Sequence, residues 1–381
     1  MTAHIRRRGK QSFELKFDVG DPATGKRRIR YVSFKGTKRD AELELARLVS
    51  EHVAGNSVDP SKITVAAYVG RRIDQWEAAG AVTARTAQRY RQLLENQIAP
   101  QIGGKLLQKL RPLDVEDWHT ALRSGGRANG QGGVSACTIG HAHRVLSKAL
   151  RDAERNGAVH RNAARATSAP KVPVKEMEIV KDVPALVEKL RGSRLQAPAM
   201  LALFTGMRLG EILALRWLHV DLNGKTIKVR EALEETKAHG IRFKQPKSKA
   251  GRLDISLPDT LVDALREHRR RELELRMRLG LGKLPDDTLL FANLQGDPLR
   301  PGNMSSDWSE DAEALGVPGV TFHGLRHTHA SQLIARDVDI VTVSKRLGHA
   351  KPSITLAIYA HLFHTDDRKA AAAINAALPG A

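Results

Sequence analysis

The sequence predicts a mixed α+β protein that folds as several domains. Its 381 residues exceed the usual size of one domain, and a hydrophobic fraction of 41% is sufficient for packed cores. Alternation of apolar and polar residues near the N-terminus predicts a small sheet, whereas helical periodicity dominates elsewhere, apart from a strand-rich stretch at about 226–257. We therefore expect a sheet-plus-helix domain, an all-α domain, and a mainly α domain that contains a β-hairpin sheet.

The N-terminal segment combines a strand pattern with strong positive charge. Residues 1–39 hold twelve Lys and Arg against three acidic residues, and residues 13–17 and 29–34 alternate between apolar and polar around a turn sequence at 21–25. A helix is predicted at about 38–54. The density of charge favours DNA contact over a merely solvated face. The candidate contacts are Arg6, Arg7, Arg8, Lys10, Arg27, Arg28 and Arg30.

The next segment, residues 62–168, is predicted to be all-helical. Helices fit near 64–79, 83–98, 112–123 and 135–156. Two of them are basic, which contact with a phosphate backbone would explain, as would an ordinary solvated surface. The candidate DNA contacts here are Arg85, Arg89, His141 and Arg144.

The remaining chain divides into a linker, a large domain and a tail. Residues 169–175 form a basic, proline-containing linker, residues 176–370 form the largest domain, and residues 371–381 form the tail.

The whole chain carries a formal net charge of +20, which points to nucleic acid or to an anionic membrane surface. No apolar run approaches the ~20 residues of a membrane span, and no secretory signal is present. With the single Cys137, these features predict a cytoplasmic location and no membrane partner.

Two segments of the large domain bring basic residues into tight turns. In Thr-Gly-Met-Arg-Leu-Gly-Glu, residues 205–211, Arg208 lies between glycines and Glu211 falls in the first turn of a helix, where a carboxylate suits the helix dipole. Residues 245–252 are predicted to form a hairpin turn that carries Lys247 and Lys249. Taken singly, either segment could be an ordinary surface turn.

Two further segments supply histidines, an arginine and a tyrosine. His323 and Arg326 are three residues apart and share one face of a helix. The nearby His327 and His329 are interpreted as packing or capping residues. No metal site is expected, because no further ligand lies at a familiar metal spacing. Downstream, a Gly-His pair ends at residue 349, and a tyrosine follows ten residues later at position 359.

In combination, these residue types suit chemistry at a phosphodiester. Two guanidinium groups can bind the non-bridging oxygens of one phosphate and stabilise the charge that builds on them. A tyrosine hydroxyl, with a pKa of about 10, becomes a nucleophile only when its proton leaves, so a neighbouring histidine can act as base or orienting group. A lysine in the hairpin turn can protonate the departing 5′ oxygen.

The ordered motifs resemble the tyrosine recombinase family, in particular phage and mobile-element integrases of the lambda integrase type. The resemblance implies that Tyr359 is the nucleophile and that Glu211 supports the first arginine. It leaves the lysine open between Lys247, which we prefer because a serine follows it, and Lys249. The implied catalytic set is Arg208, Lys247, His323, Arg326, His349 and Tyr359.

The same resemblance predicts domains, activity and partners. Residues 1–60 would be an arm-type DNA-binding domain with a three-stranded sheet plus helix, residues 62–168 a core-binding domain, and residues 176–370 the catalytic domain. The implied activity is site-specific recombination, through a 3′-phosphotyrosyl intermediate and a Holliday junction, that integrates or excises a prophage or mobile element without a cofactor. The implied assembly is a homo-tetramer on double-stranded DNA with core-type and arm-type sites, with an excision factor and a DNA-bending protein as candidate partners. A type IB topoisomerase-like relaxing enzyme and a non-catalytic DNA-binding regulator remain alternatives.

Overall fold

The computed structural model describes residues 3–20, 27–53, 61–127, 131–173, 177–245 and 251–362, together with Asn375. Three predicted features lie outside the described residues. They are the turn at 21–25, the two candidate lysines, and the tail 371–381 except for Asn375. The chain forms two compact units, Met1–Pro173 and Val174–Ala381. Their boundary falls inside the predicted linker, and the division of the first unit at residue 60 stays a prediction.

The first unit begins with a three-stranded antiparallel sheet and one helix, which confirms this part of the predicted fold. The strands β1 (Ala3–Gly9), β2 (Ser12–Gly20) and β3 (Arg27–Lys35) pair in the order β1-β2-β3, and helix α1 spans Lys38–Val53. Because strand side chains alternate between faces, Phe13, Leu15 and Phe17 of β2 lie on one side, against α1. The buried residues there are Phe13, Leu15, Phe17, Ala41 and Leu45.

The rest of the first unit is helical, as predicted. Its helices are α2 (Val65–Ala78), α3 (Ala84–Leu93), α4 (Ala99–Ile102), α5 (Pro112–Gly125) and α6 (Ala136–Arg155), with a π-helical turn at Leu94–Ile98 and a 3-10 turn at Leu107–Lys109. Hydroxyl side chains at Thr64, Thr83 and Ser135 accept hydrogen bonds from the first turns of α2, α3 and α6, which accounts for where these helices begin. The Asp152 carboxylate joins α6 to α2, because it accepts hydrogen bonds from the Arg72 guanidinium at 2.5 Å and from the Trp76 indole at 2.8 Å.

The second unit starts with helices and continues into five short strands. Helices α7 (Val183–Leu190), α8 (Gln196–Thr205) and α9 (Leu209–Leu213) are followed by a 3-10 turn at Trp217–His219. The strands are β4 (Val220–Asp221), β5 (Thr226–Val229), β6 (Ala232–Thr236), β7 (Gly240–Lys244) and β8 (Leu253–Ser256).

The pairing of these strands corrects one prediction. Strand β8 pairs with β5 in the sheet β4-β5-β8, whereas β7 pairs with β6 in a separate hairpin. The segment that carries Lys247 and Lys249 therefore connects strands of two different sheets and is not the turn between two paired strands. The buried Ile255 of β8 lies opposite the buried Ile227 of β5, and this long-range pairing outweighs the local hairpin pattern.

The described part of the unit ends in five helices. They are α10 (Asp259–Arg278), α11 (Pro301–Asp311), α12 (Phe322–Ile334), α13 (Ile340–Arg346) and α14 (Pro352–Tyr359), followed by a 3-10 turn at Ala360–Leu362. Of these, α10 and α12 pack on the buried α8. Trp308 of α11 is fully buried against Phe322, and its indole donates to the Val320 carbonyl at 2.7 Å. A smaller apolar cluster beneath α13 and α14 includes Ala330, Val343 and Tyr359. Within the described ranges, no helix has the length and apolar character needed to cross a bilayer.

A buried histidine pair predicts how acid affects the first unit. His119 of α5 and His143 of α6 are buried, with 3.2 Å between His119 Nε2 and His143 Nδ1. Burial, followed by the charge of His143, lowers the pKa of His119 from 6.5 to about 4. Below pH 6.5 the unfolded chain therefore binds more protons than the folded chain. The stability associated with His119 is complete above pH 6.5 and is lost as the pH falls towards 4.

We expect His119→Gln, whose amide can replace Nε2 without titrating, to reduce the loss of thermal stability between pH 6.5 and 4. The measurement is the unfolding temperature of the first unit as a function of pH. His160→Gln is the control, because His160 is exposed. An identical pH dependence in the wild-type and His119→Gln proteins would contradict the assignment.

Candidate active site

The first arginine lies in a corner between two helices. Helix α8 ends at Thr205 and α9 begins at Leu209, with Arg208 as the residue before the first turn. The Glu211 carboxylate accepts hydrogen bonds from the Arg208 backbone N–H and from its guanidinium, each at 2.8 Å. Glu211 is almost fully buried, whereas 42% of the Arg208 side chain is exposed. The buried Glu211 therefore orients the guanidinium of Arg208, which remains accessible to solvent.

Gly206 permits the close approach of three helices at this corner. Its φ of +70° falls in the left-handed region, where a side chain is strained. A Cβ atom at this position would lie 2.8 Å from His329 Cδ2 and 2.8 Å from Leu347 Cδ2. Glycine is therefore required both by the backbone conformation and by the packing.

The second arginine is buried in the centre of the site. Arg326 of α12 is 3% exposed and donates hydrogen bonds to the carbonyls of Gly206 and Leu347, the latter at 2.7 Å. It also donates to His349 Nε2 at 3.0 Å. Burial, followed by the charge of Arg208, lowers its pKa to about 10, so it remains a cation at neutral pH. The positive charge of Arg208 therefore acts on the Arg326 guanidinium.

The two predicted histidines lie beside these arginines and are neutral at pH 7. Because a guanidinium only donates, His349 Nε2 is the acceptor, and its Nδ1–H donates to Thr355 Oγ1 at 2.8 Å. Burial, then Arg326 and Arg208, lowers the pKa of His349 to about 4. The pKa of His323 is also lowered, first by partial burial and then by the same arginines, although one face of this residue stays exposed.

The tyrosine closes the site from the end of α14. Tyr359 is 2% exposed, and its hydroxyl lies 2.5 Å from Nδ1 of His327. Burial raises the pKa of Tyr359 to about 12, and the charge of Arg326 opposes this rise. The hydroxyl therefore keeps its proton at neutral pH. The sequence interpretation of His327 as a packing or capping residue does not indicate this bond, although its position four residues after His323 places it on the same helix face.

A further arginine fixes the neighbouring helices. Arg346, at the end of α13, donates to His329 Nε2 at 3.1 Å, to the Phe204 carbonyl at 2.9 Å and to the Ser256 carbonyl at 3.0 Å. His329 in turn contacts the Leu203 carbonyl through Nδ1 at 2.8 Å. These bonds join α12 and α13 to α8 and β8, and so hold the loop that carries His349. The sequence motifs do not identify Arg346, because its partners are distant in the chain.

The structure brings together six of the residues that the sequence predicts for the catalytic site. They are Arg208, Glu211, His323, Arg326, His349 and Tyr359. The predicted DNA contacts lie in the other unit. On its sheet, Arg6, Arg7, Arg8 and Lys10 are exposed, Arg30 is half-buried, and Arg27 and Arg28 are placed in β3 by their backbone alone. Among the helices, Arg85, Arg89, His141 and Arg144 are exposed on α3 and α6.

Comparison with known proteins gives the same class as the motifs. Residues 177–365 match the phage integrase family, and residues 72–123 match the N-terminal SAM-like domain of phage integrases. A XerC-like tyrosine recombinase from Caldanaerobacter subterraneus subsp. tengcongensis is 25% identical across 96% of this chain and 96% of its own length. An integrase from Streptomyces ambofaciens is 26% identical across 90% of this chain and 87% of its own length.

Solved structures of integrases share the fold. The Tn1549 transposon integrase in complex with a circular intermediate DNA superposes with a TM-score of 0.65 at 16% identity, over 83% of this chain and 100% of that one. A lambda integrase dimer bound to a core site superposes with a TM-score of 0.55 at 19% identity, over 96% and 95% of the two chains.

The chain belongs to the phage integrase family of tyrosine recombinases. It is a tyrosine-type site-specific recombinase, an integrase that breaks and rejoins DNA. The relatives do not favour the alternatives of a topoisomerase-like relaxing enzyme or a non-catalytic regulator.

The packing around Gly206 predicts a specific effect of substitution. Gly206→Ala would introduce strain of about 1–2 kcal/mol from the positive φ, and displacement of His329 and Leu347 would add about 1–3 kcal/mol. Gly192→Ala is a matched control, because Gly192 has a φ of +78° and no atom within 4 Å of the place that a Cβ would occupy. Chemical denaturation should show a larger loss of unfolding free energy for Gly206→Ala. Equal losses would show that the close packing is not needed.

Proposed function

We propose that Tyr359 attacks a DNA phosphate held by Arg208 and Arg326 and forms a 3′-phosphotyrosyl bond. The observation that carries this proposal is that the charge of Arg326 acts on Tyr359 at the end of α14, while the Arg326 guanidinium donates to His349 and is itself affected by the charge of Arg208. The exposed guanidinium of Arg208 would meet the phosphate first. Arg326, oriented by two backbone carbonyls, would face the charge that develops on the non-bridging oxygens.

The histidines have separate proposed roles in this step. His349 accepts a hydrogen bond from Arg326 and donates one to Thr355, so it would fix the direction of the guanidinium. His323 has an open face and a lowered pKa, so it is neutral and can accept a proton or hydrogen-bond a phosphate oxygen. Glu211 would keep Arg208 in place through its two hydrogen bonds.

In the proposed strand exchange, each bond that breaks is replaced by a bond that forms. The Oη–phosphorus bond of Tyr359 forms as the bond from phosphorus to the 5′ oxygen breaks, and Lys247 or Lys249 would supply the proton to that oxygen. The 5′-hydroxyl of a partner strand then attacks the phosphotyrosine and releases the tyrosine. One phosphodiester replaces another, so no cofactor is required. Lambda integrase, which has this fold, forms a tetramer bound to a Holliday junction, and this supports four protomers acting on two duplexes.

The basic surfaces of the first unit would bind the DNA outside the cleavage point. The exposed residues on α3 and α6, with the adjacent Arg144 and His141 in contact at 3.0 Å, are the proposed contacts to core-type sites. The sheet that includes Arg6 and Lys10 would bind arm-type sites. The relatives include a prophage integrase from Mycobacterium tuberculosis, which supports integration or excision of a prophage or mobile element as the role of this protein. The proposed place of action is the bacterial cytoplasm. An excision factor and a DNA-bending protein are further proposed partners.

Substitution of the tyrosine tests the central step. Tyr359→Phe should bind DNA with unchanged affinity but form no covalent adduct on a nicked suicide substrate, because it lacks the attacking oxygen. The measurement is adduct on a denaturing gel beside a mobility-shift assay. Tyr90→Phe removes a hydroxyl in the other unit and should leave adduct formation intact. Persistent adduct in Tyr359→Phe would refute the assignment of Tyr359 as the nucleophile.

A modified substrate distinguishes the two lysines. Replacement of the bridging 5′ oxygen by sulfur creates a leaving group that needs no general acid. Lys247→Ala should cleave the ordinary substrate about 100-fold more slowly and regain the wild-type rate on the sulfur substrate, whereas Lys249→Ala should cleave both substrates normally. Rescue of Lys249→Ala alone would transfer the role to Lys249.

A further inference from the structure

The hydroxyl of Tyr359 has a neighbour whose role the motif residues do not explain. His327 lies one residue after Arg326 on α12 and is 8% exposed. Its Nδ1 is 2.5 Å from the tyrosine oxygen, and the two ring centroids are 5.7 Å apart. Within the described part of the chain, this is the hydrogen bond that the tyrosine hydroxyl makes. The atom that would attack phosphorus is therefore held by His327 and not by His323 or His349.

The surroundings of His327 keep its ring uncharged. It faces His323, 4.7 Å away between ring centroids, and Arg326 on its own helix, with His349 and Tyr359 from the segments packed against it. Burial, followed by His323, Arg326 and His349, lowers the pKa of His327 to about 4. A neutral imidazole has one donor and one acceptor nitrogen, and the protonated phenol can donate to the acceptor.

Full transfer of the tyrosine proton to His327 is strongly unfavourable in the free protein. Burial raises the pKa of the Tyr359 hydroxyl and lowers the pKa of the His327 imidazole, and both changes oppose the transfer. The bond can nevertheless direct the phenol oxygen, because it restricts rotation of the hydroxyl and links the end of α14 to the helix that carries Arg326. Geometry, and not basicity, is what His327 can supply.

We propose that His327 is a positioning residue that accepts the Tyr359 hydroxyl proton in a hydrogen bond and so aligns the nucleophile for attack. This inference rests on the proposed role of Tyr359. It predicts that the acceptor atom at the Nδ1 position matters, and that the size or charge of the side chain does not.

Two substitutions separate the hydrogen bond from packing. His327→Leu fills the space without an acceptor, whereas His327→Asn places an amide oxygen near the position of Nδ1. Single-turnover cleavage of a suicide substrate should fall about 100-fold in His327→Leu, the loss typical of a misplaced reacting group. His327→Asn should recover to within about threefold of wild type. DNA affinity should be unchanged in both variants.

The pH profile provides a readout that a purely structural role would not change in this way. The cleavage rate of His327→Leu should be lower than that of wild type by a constant factor from pH 6 to 9. The His327 imidazole, with a pKa of about 4, does not titrate in this range, and leucine has no titrating group. A change of profile shape would instead assign a general base and overturn the positioning role. Equal rates in His327→Leu and wild type, or equal losses in His327→Leu and His327→Asn, would also overturn it.

A control variant accounts for lost stability. Thr328→Val removes a buried hydroxyl from the same helix, one that contacts Gly324 and Val180 and not the tyrosine. The rates are compared well below the unfolding temperatures of all variants. A cleavage loss in Thr328→Val as large as that in His327→Leu would assign the effect to helix packing. Adduct formed by Tyr359→Phe would refute the nucleophile itself, so failure of the proposed function is distinguishable from failure of this inference.

Discussion

The site depends on the hydrogen bonds made by the buried guanidinium of Arg326. A charged group that is 3% exposed is costly unless its donors are satisfied, and its hydrogen bonds reach Gly206, Leu347 and His349. These partners belong to the α8–α9 corner and to the segment between α13 and α14. The need to satisfy one cation thus brings together three parts of the chain, and glycine at 206 makes the approach possible.

The electrostatics of the site follow from that arrangement. Two arginines lie near three histidines, and the Glu211 carboxylate is hydrogen-bonded to Arg208. The histidines respond by remaining neutral, because protonation would add positive charge to a partly buried, already positive region. A DNA phosphate would supply the missing negative charge. Neutral imidazoles can then direct guanidinium and hydroxyl groups without competing for the phosphate as cations.

Tyr359, the proposed nucleophile, is restrained by the same environment. Burial keeps the Tyr359 hydroxyl protonated, and the bond to His327 gives it a defined direction. Arg326 lies close enough to oppose the rise in the tyrosine pKa. In the proposed mechanism, the residue that would stabilise the phosphate charge would also stabilise a developing phenolate, and this would couple phosphate binding to activation of the tyrosine.

The sequence alone determined the elements and the chemical inventory. Apolar periodicity is local, so it located the helices of the first unit closely. Ordered motifs identified the arginines, histidines and tyrosine for the same reason. Only the tertiary structure decided that β8 pairs with β5, that Arg326 binds the carbonyl of Gly206 across 120 residues, and that His327 meets Tyr359 across 32. Such contacts depend on packing between distant segments, and the spacing of residues along the chain does not encode them.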